Sequence, residues 1–306
     1  MSTQRPILVT GAAGQVGGIG GIVVDTLLRR QVPVRAFVRR DDERADALRR
    51  AGAEVFVGDL TRPENVARAL DSCCRVYFGM SVTSTYLEAA VGMGAVAREK
   101  SDIEALVNMS QMTVSQMSLR NMTDSPQQRQ HWLAEQALNW SGLPVVHVRP
   151  TVFQENFFFL AWAAEQILRD GTIRLPFGTG RTSPVAAQDV AEVVVSVLLD
   201  PLQHVGKTYE LTGPRSQDLH GLAGEYSAAL GRSVTYVDVP IEEWRDKELR
   251  GRRLPEHVFE HLLTMAHLHA ANRYDRLSSN VEAILGRPAR SLESMVRDNH
   301  KRFSAG

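Results

Sequence analysis

Cysteine is almost missing from this 306-residue chain, and the two that occur, Cys73 and Cys74, are adjacent. Adjacent cysteines build neither a disulfide framework nor a chelating metal site of the usual spacing, which excludes a cross-linked secreted scaffold and a zinc module. They read as small buried hydrophobes in reducing surroundings. An excess of either charge is missing too, since Lys plus Arg and Asp plus Glu both total 35. With no basic surplus there is no electrostatic footprint for nucleic acid or anionic lipid. Long apolar runs are absent, none approaching the about 20 residues of a membrane span, and "MSTQRPILVTG" enters a strand with no leader pattern. The expectation is a cytoplasmic protein without nucleic-acid or membrane partners. His257, His261, His267 and His269 fall in a helical tail without the carboxylates or cysteines that would complete a metal site, and read as solvated or partner-facing.

What is present is a regular alternation. Strand-like runs at 7–10 (ILVT), 34–38 (VRAFV), 54–60 (EVFVGDL), 75–80 (RVYFGM), 104–110 (EALVNMS) and 145–150 (VVHVRP) are separated by segments of helical periodicity. That pattern predicts an α/β protein with a doubly wound parallel sheet over 1–150. Residues 151–306 are expected to form a smaller α/β lobe, with some segments returning to the first domain. Thr61 is a cap candidate for the helix that opens at Pro63 and Glu64, and Gly142 stops the helix that ends in NWSG.

The first strand runs into "TGAAGQVGGIGG", with glycine at 11, 14, 17 and 20. Glycine costs a helix about 1 kcal/mol relative to alanine, so this start serves something other than helix formation. A glycine turn between a first strand and a helix lets a pyrophosphate approach bare backbone at the helix's positive end, the dinucleotide fingerprint of a Rossmann unit. Two registers fit: Gly11, Gly14 and Gly17 with an extra glycine-rich helical turn, or Gly14, Gly17 and Gly20 with a longer loop. The first is preferred because Gly11 directly follows the strand. Ala13, Gln15 and Val16 accompany the glycines as cofactor contacts.

The second strand ends in "VRRDD", where Arg39 and Arg40 suit the 2′-phosphate of NADP, although acids close enough to pair with them keep NAD open. Asp59, followed by Leu60, either meets the adenine or caps the next helix. Phe78, Gly79 and Met80 leave the fourth strand where the ribose and diphosphate would pass. Ser110 ends the fifth strand at the sheet's carboxyl edge, and Gln111 and Met112 beyond it are expected to line the substrate pocket.

These motifs, with "VFVGDLTRPENVARAL", "HWLAEQALNWSGLPVVHVRPTVFQENF", "AAQDVAEVVVSVLLDP" and "GKTYELTGP", resemble the NmrA-like atypical short-chain dehydrogenase/reductases over nearly the whole chain. That family includes NADPH-dependent quinone and triarylmethane-dye reductases and catalytically silent redox sensors. The resemblance implies a nicotinamide against Pro150, Thr151 and Phe153, with Asn156 at the pocket's mouth. It also implies that the ordinary Tyr-x-x-x-Lys pair, counted back from Glu135, falls on Gln128 and Trp132. Neither does that work, an amide having no acidity near neutral pH and an indole no positive charge. Ser110 and His131 are left as candidate catalytic groups, His131 as a proton donor. Two functions follow from the resemblance: an NADPH-preferring reductase of a conjugated apolar acceptor, or a non-catalytic NADP(H) sensor acting through a protein partner. A homodimer is the other association considered.

Overall fold

The computed structural model describes residues 5–14, 18–123 and 125–304. Short runs of Val, Ile, Leu and Ala form strands β1 (Ile7–Val9), β2 (Val34–Val38), β3 (Glu54–Val57), β4 (Arg75–Phe78), β5 (Ala105–Met109), β6 (Val145–Pro150), β7 (Thr172–Leu175), β8 (Thr208–Leu211) and β9 (Thr235–Asp238). Seven of them make one sheet in the order β3-β2-β1-β4-β5-β6-β8, and β7 and β9 pair separately. Every pair from β3 to β6 is parallel. The intervening helices are α1 (Ile19–Arg29), α2 (Glu43–Arg50), α3 (Pro63–Leu70), α4 (Tyr86–Lys100) and α5 (Pro126–Trp140). This is the doubly wound sheet that the alternation predicts. The strand order reverses at β1, flanked by β2 and β4, so the carboxyl ends of β1 and β4 form the switch point where such sheets take ligands. Among the described residues no helix is long and apolar enough to cross a membrane.

Local chemistry sets the helix starts. The Asp42 carboxylate accepts the Arg44 and Ala45 N–H groups to open α2, and Ser125 caps α5 ahead of Pro126. Thr61 does not cap α3. Arg62 flanks that helix without a side-chain bond, while the Thr61 N–H and hydroxyl both turn back to Asp59 Oδ1, at 3.0 and 2.9 Å. Gly142, just past α5, has φ +74° and lets the chain turn away.

The chain divides into two compact units, Met1–Arg149 with Val190–Glu210, and Pro150–Asp189 with Leu211–Gly306. The core of the first includes Leu8, Phe37, Val66, Val76, Phe78, Tyr86, Met93, Leu106 and Leu138, with Cys73 among them. In this unit the Arg149 guanidinium grips the buried Glu135 carboxylate with two hydrogen bonds and ties α5 to β6. The second unit centres on Phe158, Phe159, Trp162, Phe177, Tyr226 and Trp244. There the fully buried Asp189 accepts hydrogen bonds from the side chains of Arg287 and Arg290 and from the Arg290 N–H.

His269 departs from the expectation of a solvated histidine. It is completely buried, stacked on Phe177 at 4.0 Å and close to Tyr274 at 4.2 Å; His261 is partly buried, also against that expectation, whereas His257 and His267 are exposed. Its Nδ1–H donates to the Met265 carbonyl at 2.7 Å, so Nε2 is the unprotonated nitrogen, enclosed among rings. Burial lowers its pKa to about 3. Folding therefore opposes protonation. The contribution to stability is complete above the unfolded value of about 6.5 and is lost as pH falls from there toward about 3. Because pH 5 lies well above the folded value, the loss between pH 7 and pH 5 is on the order of 2 kcal/mol. Urea unfolding at those two pH values should show a smaller acid loss in His269→Phe than in the parent chain. Equal losses would place the acid sensitivity elsewhere.

Candidate active site

At the switch point three backbone segments meet. The Thr10 hydroxyl, beyond β1, donates to the Gly79 carbonyl and accepts the Gly79 N–H, both at 2.9 Å, locking the end of β1 to that of β4. Gly11 then turns at φ +65°, and a Cβ there would stand 2.6 Å from the Gly79 oxygen. A Cβ on Gly20, inside the first turn of α1, would stand 2.6 Å from the carbonyl carbon and oxygen of Gly11. The tight turn is thus at Gly11, as the preferred register has it, but the close packing of helix on strand falls to Gly20, which that register leaves in an extra turn. Gln15, Val16 and Gly17 lie outside the described residues. Gly14 donates its N–H to the Gly11 carbonyl at 3.0 Å, and Ala13 precedes it.

This cradle fits a dinucleotide phosphate. Gly18, in the left-handed region, opens α1 with no side-chain cap and no acidic residue in the first turn. The first N–H groups of a helix have no intrahelical partner, and among the described residues neither a side-chain cap at Gly18 nor a first-turn carboxylate competes with an anion for them.

At the end of β2, Arg39 and Arg40 are exposed. Two of the nearby acids are engaged elsewhere: Asp41 pairs with Arg49 at 2.7 Å, and Asp42 pairs with Arg44. Arg44 also donates to the Ala13 carbonyl at 3.1 Å, tying the α2 start to the glycine loop, a role with no motif to announce it in the sequence. Asp59 lies within the field of Arg39. The Thr61 donors, with Arg39 adding to them, hold its carboxyl below the usual range, so it stands as an anion beside Leu60 rather than as a helix cap.

Beyond β4 the chain passes buried Phe78 and Gly79 to half-buried Met80. Beyond β5, Ser110 donates its N–H to the Val148 carbonyl at 2.8 Å, and its hydroxyl is buried without a partner. Gln111 follows in extended backbone, with its amide nitrogen likewise unpartnered, and Met112 is buried.

On α5, the residues bonded across one helical turn are Gln127 and His131, Nε2 to Nε2 at 3.0 Å. An amide nitrogen only donates, so His131 accepts at Nε2, while Gln127 Oε1 accepts the Thr83 N–H at 3.2 Å. The imidazole packs on the Tyr86 ring with centroids 3.9 Å apart. With Nε2 an occupied acceptor, the proton of the neutral ring sits on Nδ1. Tyr86 is no substitute acid, because its hydroxyl donates to the Met109 carbonyl at 3.0 Å and burial pushes its pKa far up. A directed chain continues behind it, from Asn108 Nδ2 to His147 Nδ1 at 3.0 Å and from His147 Nε2 to Asn139 Oδ1 at 2.9 Å, consistent with a neutral His147 whose pKa burial lowers.

Pro150 ends β6. In the second unit, the Thr151 hydroxyl donates to the Ser183 carbonyl at 2.7 Å, Phe153 bridges to Val185, and the Asn156 side chain accepts the Phe159 N–H to open the π-turn Phe157–Trp162. Phe158 and Phe159 are core residues, and half-buried Phe157 lies under the Arg252 guanidinium at 5.8 Å.

The sequence pattern of the NmrA-like family matches residues 3–297. The chain belongs to the NmrA-like family. Among curated relatives of this NmrA-like protein, an NAD(P)H azoreductase of Xenophilus azovorans is 30% identical over 304 residues, 98% of this chain and 99% of the relative. The Citrobacter sp. triphenylmethane reductase complexed with NADP(H) superposes with a TM-score of 0.82 at 23% identity, over 95% of this chain and 99% of that one. An NADPH-dependent quinone oxidoreductase of Escherichia coli, complexed with NADPH, superposes with a TM-score of 0.82 at 22% identity, over 96% and 99%. At these identities the two structures establish the shared fold.

A methyl group at position 20 meets backbone, which cannot rotate aside. Gly20→Ala should therefore lower stability by about 1–3 kcal/mol, as overpacking does, and weaken NADPH binding with it. At Gly14 an added Cβ meets only the Gly11 oxygen at 3.1 Å and Ser81 Oγ at 3.9 Å, so Gly14→Val should lose binding with little loss of stability. Urea unfolding and calorimetric titration separate the two. Wild-type behaviour of Gly20→Ala in both would show that α1 seats without the close approach.

Proposed function

We propose that this protein is an NADPH-dependent reductase delivering hydride to a planar, conjugated, mostly apolar acceptor of the quinone, azo or triarylmethane-dye class. The observation that carries this reading is the composition of α5, which contains neither tyrosine nor lysine and instead brings Gln127 and His131 together. Reduction of an isolated ketone develops an alkoxide that needs an acid beside it. A quinone or azo group spreads the incoming charge, a cationic dye neutralises it, and water supplies any proton later. The three relatives, an azoreductase, a triphenylmethane reductase and a quinone oxidoreductase, support the same class.

Bound NADPH supplies the hydride. The chain's own part is to hold and orient. The bare backbone of Gly11 and Gly14 and the uncapped start of α1 take the pyrophosphate, and Arg39 and Arg40 take the 2′-phosphate. Asp59 and Leu60 stand toward the adenine, Phe78 to Met80 border the ribose, and Ser110 to Met112 face the acceptor. NADP bound to two of the relatives' structures supports the choice of cofactor.

A charge-assisted hydrogen bond to the 2′-phosphate is worth about 1.5–3 kcal/mol. Arg39→Ala or Arg40→Ala should thus reduce the preference for NADPH over NADH by about 10- to 150-fold, measured as the ratio of dissociation constants. An unchanged ratio in both variants would remove the β2 turn from cofactor selection. The reading as a whole is tested by anaerobic NADPH oxidation with naphthoquinone, azo and triarylmethane acceptors. Steady turnover is expected. Tight NADPH binding with no turnover of any acceptor would favour a redox sensor acting through a protein partner.

A further inference from the structure

Buried polar side chains nearly always have hydrogen-bond partners, so those without them call for an explanation. Gln128 is 1% exposed and Ser110 4% exposed, and among the described residues neither the two amide atoms of Gln128 nor the Ser110 hydroxyl has a partner. The same holds for Gln111 Nε2. An unpartnered buried amide is among the more costly features a helix can keep, and apolar residues would fill the position without that cost.

The fold places the residues that carry these groups. Helix α5 connects the parallel neighbours β5 and β6 and so runs back against them, putting its amino end at the carboxyl edge of the sheet. Glu135 is held by Arg149 of β6. Gln128 lies seven residues earlier on the same helix face, about 10.5 Å nearer that edge, and so overhangs the end of β6. Ser110, immediately beyond β5, is bonded through its N–H to Val148 of β6 at 2.8 Å. The free carboxamide and the free hydroxyl are therefore both carried to the carboxyl ends of the same two strands. The neighbouring Gln127 has both ends of its amide engaged, so the unpaired state belongs to Gln128 and is not general to the helix.

We propose that Gln128 and Ser110 form a polar subsite for a lone-pair-bearing atom of the acceptor, a quinone oxygen or an azo nitrogen, with Gln128 as the specificity-determining residue. The proposal rests on the reductase reading and refines it. A carboxamide donates a hydrogen bond without giving up its proton, so it orients such an acceptor and leaves protonation to water. A cationic triarylmethane dye has no such atom at its reacting carbon and draws less from the subsite.

The test uses Gln128→Leu in the full chain, with menadione, methyl red and crystal violet as acceptors. The ligand-free variant should melt about 2–4 °C higher than the parent, since an unpartnered buried amide is replaced by an apolar group of similar size. Its kcat/KM for menadione and methyl red should fall at least ten times more than for crystal violet. Gln128→Glu, which at neutral pH only accepts, should move the preference further toward the cationic dye. A lower melting temperature with equal losses for all three acceptors would make Gln128 a structural residue and overturn the proposal, as would an unchanged kcat/KM for menadione. If the parent turns over none of the acceptors, the reductase reading fails separately. Menadione binding to the NADP+ complex, measured by thermal shift, then decides: binding weakened at least tenfold in Gln128→Leu supports the subsite, and equal or absent binding in parent and variant overturns it.

Discussion

Three stretches of bare backbone must touch for this molecule to have a ligand-binding end at all. Gly11, Gly20 and Gly79 come from a turn, a helix and a strand exit, and at Gly11 and Gly20 a single Cβ would stand 2.6 Å from a backbone carbonyl. The Thr10 hydroxyl fastens the junction by bonding both polar groups of Gly79. From that constraint follow the short first strand, the left-handed opening of α1 at Gly18 and the uncapped amino end of that helix at the switch point. Glycine's weakness as a helix former is outweighed there because only glycine allows the helix to sit so close.

The rest of the candidate site is arranged around what is left unpaired. At the β2 turn Asp42 and Asp41 are paired with Arg44 and Arg49, and Arg39 and Arg40 are exposed beside them. At the other end, Asn108, His147 and Asn139 form a hydrogen-bonded chain, while among the described residues the Ser110 hydroxyl and the Gln128 amide have no partner.

Much of this was legible in the sequence. The alternation of strand and helix runs gave the sheet, because period-2 and period-3.6 patterns report burial directly. Gly11 announced the turn by following the strand. The role of Gly20 was harder to read, since close packing of helix on strand is a contact across the fold and leaves no local signature beyond a glycine where the apolar stripe should begin. Thr61 looked like a cap because its position was right, but Asp59, two residues earlier, outcompeted the helix for its donors. His269 resembled its exposed neighbours in the tail, and only the ring cage of Phe177 and Tyr274 set it apart. Arg44 and the Gln127–His131 bond are tertiary and helical pairings for which the chain shows the residues but not the partners.

The central claim, that the glycine junction at the carboxyl ends of β1 and β4 is where the dinucleotide phosphates bind, is tested most directly by amide hydrogen exchange with and without NADPH. Protection gained at 11–14 and 18–21, with smaller changes in the far ends of the same strands and helices, is the predicted result. Saturating NADPH that leaves those amides unchanged, or protects a different strand edge instead, would contradict it.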